Sequence, residues 1–273
     1  MTDEELATIA TEVRRGVVLS THAAKSGHPG GSLGCADILT YLYFEEMDVD
    51  PEDPGRADRD RFVLSKGQCA PALYAVLAER GYFPKEELLT LRHIGSMLQG
   101  HPNMLDTPGV DMSTGSLGQG VSAAVGMAFA ARHWGDDYRV YTVLGDGESE
   151  EGQVWEAAML AGNLGLDNLV VIVDLNHLQI DGTIEEVNSA EPLADKYRAF
   201  NFHVVEVDDG NDMAQLRAAF AEARATKGAP TAIIAQTVKG KGVSFMENQV
   251  GWHGKAPNDA ELAQALAELG GEE

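Results

Sequence analysis

The sequence predicts an α/β protein: a doubly wound parallel sheet with helices on both faces, formed by residues 1–273 as one domain. Short apolar runs at 140–144, 169–174, 204–207 and 232–236 alternate with helix-like segments at 153–164 and 213–225. That order is what parallel strands joined by crossover helices require. The runs are continuously apolar, so each strand expects cover on both faces. No internal repeat, low-complexity tract or linker divides the chain, and its length suits a single large α/β unit.

The first half is read element by element. Thr2 and Glu5 form a capping box, and Leu6, Ile9, Val13 and Val17 recur at helical spacing, which predicts a helix to about Ser20. Ser26-Gly27-His28-Pro29-Gly30-Gly31-Ser32 reads as a loop, too rich in Gly and Pro to continue that helix. A second helix is expected over 36–45 and a polar, proline-bearing surface loop over 47–60. Residues 61–64 read as a short buried strand and 70–80 as a helix. A glycine-rich loop at 113–120 then leads into a helix of small residues, 121–133, able to press closely on a neighbour.

Composition excludes several classes. The chain has 273 residues, 44% hydrophobic and 23% charged, with a formal net charge of -23. That charge repels nucleic acid and anionic membranes, so neither is expected as a partner. Two cysteines, Cys35 and Cys69, are too few for a disulfide framework and suit a reducing cytoplasm. The N-terminus, MTDEELATIA, is acidic and lacks the apolar core of a secretion signal. The expected location is cytoplasmic.

The chemistry concentrates between Val140 and Gly182. One apolar run ends in Gly145-Asp146-Gly147, and the next ends in Asp174-Leu175-Asn176. Ligands of such folds bind beyond the carboxyl ends of strands, which is where Asp146 and Asn176 fall. A carboxylate and an amide carbonyl are hard oxygen donors, suited to Mg²⁺ or Ca²⁺ with phosphate oxygens completing the shell. The backbone carbonyl of Leu178 is a third candidate donor. Gly147 leaves room for a phosphate to approach the main chain, and the helix starting after Gly152 offers partial positive charge. Glu148, Glu150, Glu151 and Glu156 read as the solvated acidic start of that helix.

In residue types and spacing these motifs resemble the N-terminal, diphosphate-binding half of transketolase, and the resemblance covers nearly the whole chain. It includes Ser26-Gly27-His28-Pro29-Gly30, the segment 59–67 ending Ser65-Lys66-Gly67, Gly100-His101-Pro102, the segment 114–120, and His253-Gly254 after Lys239-Gly240-Lys241-Gly242. The resemblance implies thiamine diphosphate bound with Mg²⁺ or Ca²⁺, the metal held by Asp146, Asn176 and the Leu178 carbonyl. Gly147 and Asn176 would touch the diphosphate, and Gly115, Ser116 and Leu117 would lie on the pyrimidine side. His28, His101 and His253 would face the sugar, with His253 also near the diphosphate. Glu151 and Glu156 match acidic positions at a subunit interface. The implied reaction transfers a two-carbon ketol unit from a ketose phosphate to an aldose phosphate, as in pentose phosphate metabolism.

Two departures qualify the resemblance. The family has His after Lys-Gly, whereas Gln68 stands here; Gln can donate a hydrogen bond to a phosphate but carries no charge and shuttles no proton. Nothing in the chain matches the pyrimidine-binding and C-terminal domains. A partner chain, a C-terminal subunit in an α2β2 assembly, is therefore expected to supply them, with the Glu that activates the cofactor. The alternatives are an α-type subunit of another thiamine diphosphate enzyme, such as a 2-oxoacid dehydrogenase, or a non-catalytic scaffold. His22, His93, His133, His177 and His203 read as surface or structural residues.

Overall fold

Five apolar segments pair in parallel into one sheet: β1 (Arg61–Leu64), β2 (Val140–Gly145), β3 (Leu169–Leu175), β4 (His203–Val207) and β5 (Thr231–Gln236). Their order across the sheet is β1-β2-β3-β5-β4. A computed structural model describes residues 1–270; the last three of the expected domain lie outside the described residues. The helices are α1 (Asp3–Ala24), α2 (Pro29–Gly34), α3 (Ala36–Tyr41), α4 (Ala70–Arg80), α5 (Gln119–Trp134), α6 (Gly152–Leu164), α7 (Ile184–Val187), α8 (Leu193–Ala199), α9 (Met213–Ala225) and α10 (Asp259–Glu268).

Strand side chains alternate between two cores, as the two-residue period demands. Tyr141, Val143, Val170, Ile172 and Ile233 pack with residues of α1, α3, α4 and α9. Val140, Leu144, Val171, Val173 and Ile234 pack with α5, α6 and α8 on the other face. The chain steps β1 to β2 to β3 in one direction, then passes over β5 to reach β4 and returns to β5 through α9. Right-handed crossovers made in opposite directions put their helices on opposite faces. The doubly wound expectation is met.

Local sequence explains most boundaries. The Thr2–Glu5 capping box forms, but α1 runs past Ser20 to Ala24, where Lys25 closes it in a left-handed conformation. The Thr21 hydroxyl donates to the Val17 carbonyl at 2.7 Å, which lets a polar residue sit in the buried last turns. The Ser26–Ser32 stretch is not all loop, because Pro29 opens α2 at a position needing no N–H. Its glycines serve packing: a Cβ at Gly30 would lie 2.8 Å from the Trp252 carbonyl oxygen, and one at Gly34 3.0 Å from that of Val238. The 36–45 helix forms as α3 and continues in a π-helical turn to Glu46. α7, α8 and α10 lie outside the expected elements, although Asn258 and Glu261 cap α10 with a box legible in the sequence. Among the described residues no helix is long and apolar enough to cross a membrane.

Candidate active site

β2 and β3 are neighbours in register, Gly145 opposite Asp174, so the residues that follow them meet. The backbone N–H groups of Asn176 and His177 donate to Asp146 Oδ2 at 2.9 and 2.5 Å, and that of Gly147 donates to Oδ1 at 2.8 Å. The Asn176 amide is oriented from both ends. Its Nδ2 donates to Asp174 Oδ2 at 3.1 Å, and its Oδ1 accepts from the Leu178 N–H at 3.2 Å. Asp146 is 3% exposed, and burial, reinforced by the Asp174 charge, pushes its carboxyl up to about 6.

A cavity of about 290 Å³ opens above these groups. Asp146, Gly147, Asn176 and Leu178 form one wall; His28, Gln68 and His253 stand with Gly115 and Leu117 around the rest. The ring centroids of His28 and His253 are 5.4 Å apart, edge to face. Burial lowers His28 to about 4, helped by Arg92, His101 and Lys239. Burial and then the Lys239 charge lower His253 to about 3. Both imidazoles are therefore neutral at pH 7.

Four expected residues stand apart from that wall. His101 is exposed and packs on Gly115, where a Cβ would lie 2.8 Å from its ring; burial and Arg92 lower its pKa. Ser116 is exposed beside the cavity wall, and Glu151 and Glu156 are exposed at the start of α6. Glu148 departs from its expected solvated position: it is 3% exposed, lines the cavity, and burial raises its carboxyl. Its position in a short turn before α6 points it inward, which an acidic cluster in sequence cannot reveal.

Three further charged residues of the cavity were not expected there. Lys66, 2% exposed, is paired with Asp174, which is 0% exposed and also accepts from the Thr237 hydroxyl. Burial works against the Lys66 charge, but Asp174 and the nearby cysteines outweigh it and hold the pKa well above the ordinary value. Lys239 Nζ donates to the Leu178 carbonyl at 2.9 Å and contacts His253 Nδ1 at 3.0 Å. Burial lowers its pKa. Lys66 and Lys239 each sit in a recognised motif, and only the tertiary structure reveals that both are buried against the cavity.

The residues fit a phosphorylated cofactor and a hard cation. His28 Nδ1 and Gln68 Oε1 are buried with no hydrogen-bond partner among the described residues. Buried polar groups seek partners: His28 Nδ1 is open to a ligand, and Gln68 Oε1, an acceptor, calls for a ligand donor and not a phosphate oxygen. Asp146, Asn176 and the Leu178 carbonyl are an all-oxygen donor set of the kind Mg²⁺ and Ca²⁺ take. Lys66 and Lys239 bring positive charge into a strongly acidic chain. Fold and site together are those of an α/β protein with a cavity at the ends of its parallel strands suited to a phosphorylated cofactor.

Comparison with known proteins specifies the cofactor. The pattern described as "Transketolase, thiamine diphosphate binding domain" matches residues 7–273, and the chain belongs to the transketolase family. It is 49% identical over 243 residues to the 6-deoxy-6-sulfo-D-fructose transketolase subunit of Clostridium sp. (strain MSTE9), covering 89% of this chain and 88% of that one. It is 44% identical over 256 residues to an apulose-4-phosphate transketolase subunit of Phocaeicola vulgatus, covering 94% and 90%. The transketolase structure from Leishmania mexicana superposes with a TM-score of 0.94 at 37% identity, over 100% of this chain and 42% of that one. The chain thus spans most of the separate subunits but about two fifths of a single-chain transketolase. It is an enzyme subunit of the split type, in a family that moves two-carbon ketol units with thiamine diphosphate.

Proposed function

We propose that Asp146, Asn176 and the Leu178 carbonyl would hold a Mg²⁺ ion, or Ca²⁺, which would offset the charge of the diphosphate of thiamine diphosphate. The observation that carries the reading is the convergence of the Asp146 carboxylate and the Asn176 amide on one cavity, joined by the 2.9 Å hydrogen bond from the Asn176 N–H. Gly147 and Asn176 contact the diphosphate, and Gln68 donates to it in place of the family's histidine. Lys239, a buried cation that now leans on a carbonyl and an imidazole, gains an anionic neighbour. Gly115, Ser116 and Leu117 line the pyrimidine side.

Thiamine diphosphate supplies the nucleophilic carbon that takes up the two-carbon unit. His28 and His253, whose pKa values burial lowers, present neutral ring nitrogens to the sugar hydroxyls as hydrogen-bond partners and as sites for proton transfer. His101, exposed beside Gly115, meets the sugar at the mouth. The substrates are a ketose phosphate donor and an aldose phosphate acceptor, in carbohydrate metabolism of the pentose phosphate type. Both of these split-type relatives carry in their names a sugar with an anionic tail, which supports that class. The family assignment favours this reading over a 2-oxoacid dehydrogenase subunit.

The pyrimidine-binding and C-terminal domains belong to a partner subunit, in an α2β2 arrangement inside the cytoplasm. Glu151 and Glu156 meet it, on the same helix as the exposed Met159 and Leu160, with exposed Phe129 of α5 adding apolar surface. The test is reconstitution with the partner chain, followed by calorimetry with thiamine diphosphate and Mg²⁺ and a ketol-transfer assay. Asp146→Ala is expected to abolish metal-dependent cofactor binding. Retained affinity in that variant overturns the metal assignment.

A further inference from the structure

We infer that Glu148 is a positioning residue that locks the Gly115–Gly118 turn in place before the cofactor arrives. The inference rests on the reading of the cavity as the thiamine diphosphate site. Both carboxylate oxygens of this buried side chain are engaged, and by three separate segments. Oε1 accepts from the Ser65 hydroxyl at 2.5 Å and from the Gly118 N–H at 2.9 Å; Oε2 accepts from the Gly145 N–H at 3.1 Å. Ser65 follows β1, Gly145 ends β2, and Gly118 closes the turn whose Gly115 and Leu117 line the cavity.

Ser65 extends the lock by accepting from the Val121 N–H at 3.2 Å. Thr114 Oγ1 donates to the Leu64 carbonyl at 2.7 Å at the other end of the turn. Packing leaves little slack between these ties. A Cβ at Gly67 would fall 2.6 Å from the Gly115 nitrogen, and one at Gly120 would fall 2.6 Å from the Ser65 Cα. Gly115 and Gly118, at φ +142° and +83°, adopt conformations that a glycine leaves readily when untied. Without Glu148, one buried N–H group, one partly buried N–H group and one hydroxyl lose their acceptor, and the turn regains freedom that binding must remove again.

The experiment uses the chain assembled with its partner subunit, comparing Glu148→Ala, Glu148→Gln and Ser65→Ala. Calorimetry with thiamine diphosphate and Mg²⁺ should show the Kd raised about tenfold or more for Glu148→Ala, the size expected for lost charge-assisted hydrogen bonds. Glu148→Gln, which keeps an acceptor oxygen, should fall between it and the parent. The loss of ketol transfer at subsaturating cofactor should be relieved progressively by added thiamine diphosphate, as a defect in cofactor binding requires. Hydrogen exchange on the cofactor-free assembly should show faster exchange at the Gly118 and Val121 amides. A Glu148→Ala protein with parental Kd and parental exchange at those amides overturns the inference. Should that variant not fold, Ser65→Ala decides: faster exchange at Val121 with weaker cofactor binding supports the lock, and parental values for both overturn it. Absence of cofactor binding by the parent assembly defeats the site reading instead, while the exchange data still report on the lock.

Discussion

Lys66→Met should cost the chain about 3–5 kcal/mol, the range for removing one partner of a buried ion pair. Methionine fills the space of the lysine stem, so the loss isolates the ammonium rather than a cavity. Asp174 would keep the Thr237 hydroxyl and the Asn176 amide as neighbours. It would lose its ion-pair cation while lying close enough to Asp146 for the two carboxylates to repel. Urea denaturation of the isolated chain measures the effect as a fall in midpoint at constant m-value. The melting temperature should fall by about 6–20 °C, given ~2–4 °C per kcal/mol at this size. Lys66→Met combined with Asp174→Leu should recover most of the stability, since removing both charges of such a pair is often near neutral. The double variant should still bind cofactor weakly, because Asp174 orients the Asn176 amide. A single-variant cost under about 1 kcal/mol, with the m-value unchanged, refutes the argument that this pair is electrostatically isolated from water.

Other consequences are open to direct measurement. His28 and His253 have folded-state values lowered to about 4 and about 3. Their contribution to stability is complete above the ordinary value of 6.5 and is lost as pH falls toward 4 and below. The thermal stability of the parent should therefore decline more steeply from pH 6.5 to 4 than that of His28→Asn/His253→Asn; parallel profiles contradict the shifts. Gly120→Ala should destabilise by about 1–3 kcal/mol in urea, because its Cβ meets the Ser65 backbone. Gly126→Ala, with nothing within 4 Å, should stabilise the isolated chain by up to about 1 kcal/mol. Leu160→Glu should weaken assembly with the partner subunit about tenfold or more by analytical ultracentrifugation. The melting temperature of the isolated chain should stay unchanged, since this side chain is exposed.

Much of the fold was legible because its strands are continuous apolar runs and its helices carry small-residue or amphipathic spacing. β1 and α4 have the expected bounds, and the expected strands at 140–144 and 169–174 each lack only the final residue. The segment around Pro29 departs from expectation for a physical reason. Gly and Pro signal a loop locally, yet here Pro29 begins a helix and Gly30 and Gly34 clear the way for the 238–252 backbone. The meeting of Asp146 and Asn176 at one cavity was legible because each directly follows an apolar strand. The site was opaque where burial decides the role, as at Glu148.

Sequence alone determined the strand and helix order, the oxygen donors placed just past two strands, and the family resemblance, because these depend on residue type and spacing along the chain. Tertiary structure alone decided that Lys66 pairs with Asp174, that Lys239 reaches both Leu178 and His253, and that Glu148 binds three segments together. Those pairings join residues distant in the chain. They arise from the register of parallel strands and from desolvation, and neither is written in local sequence.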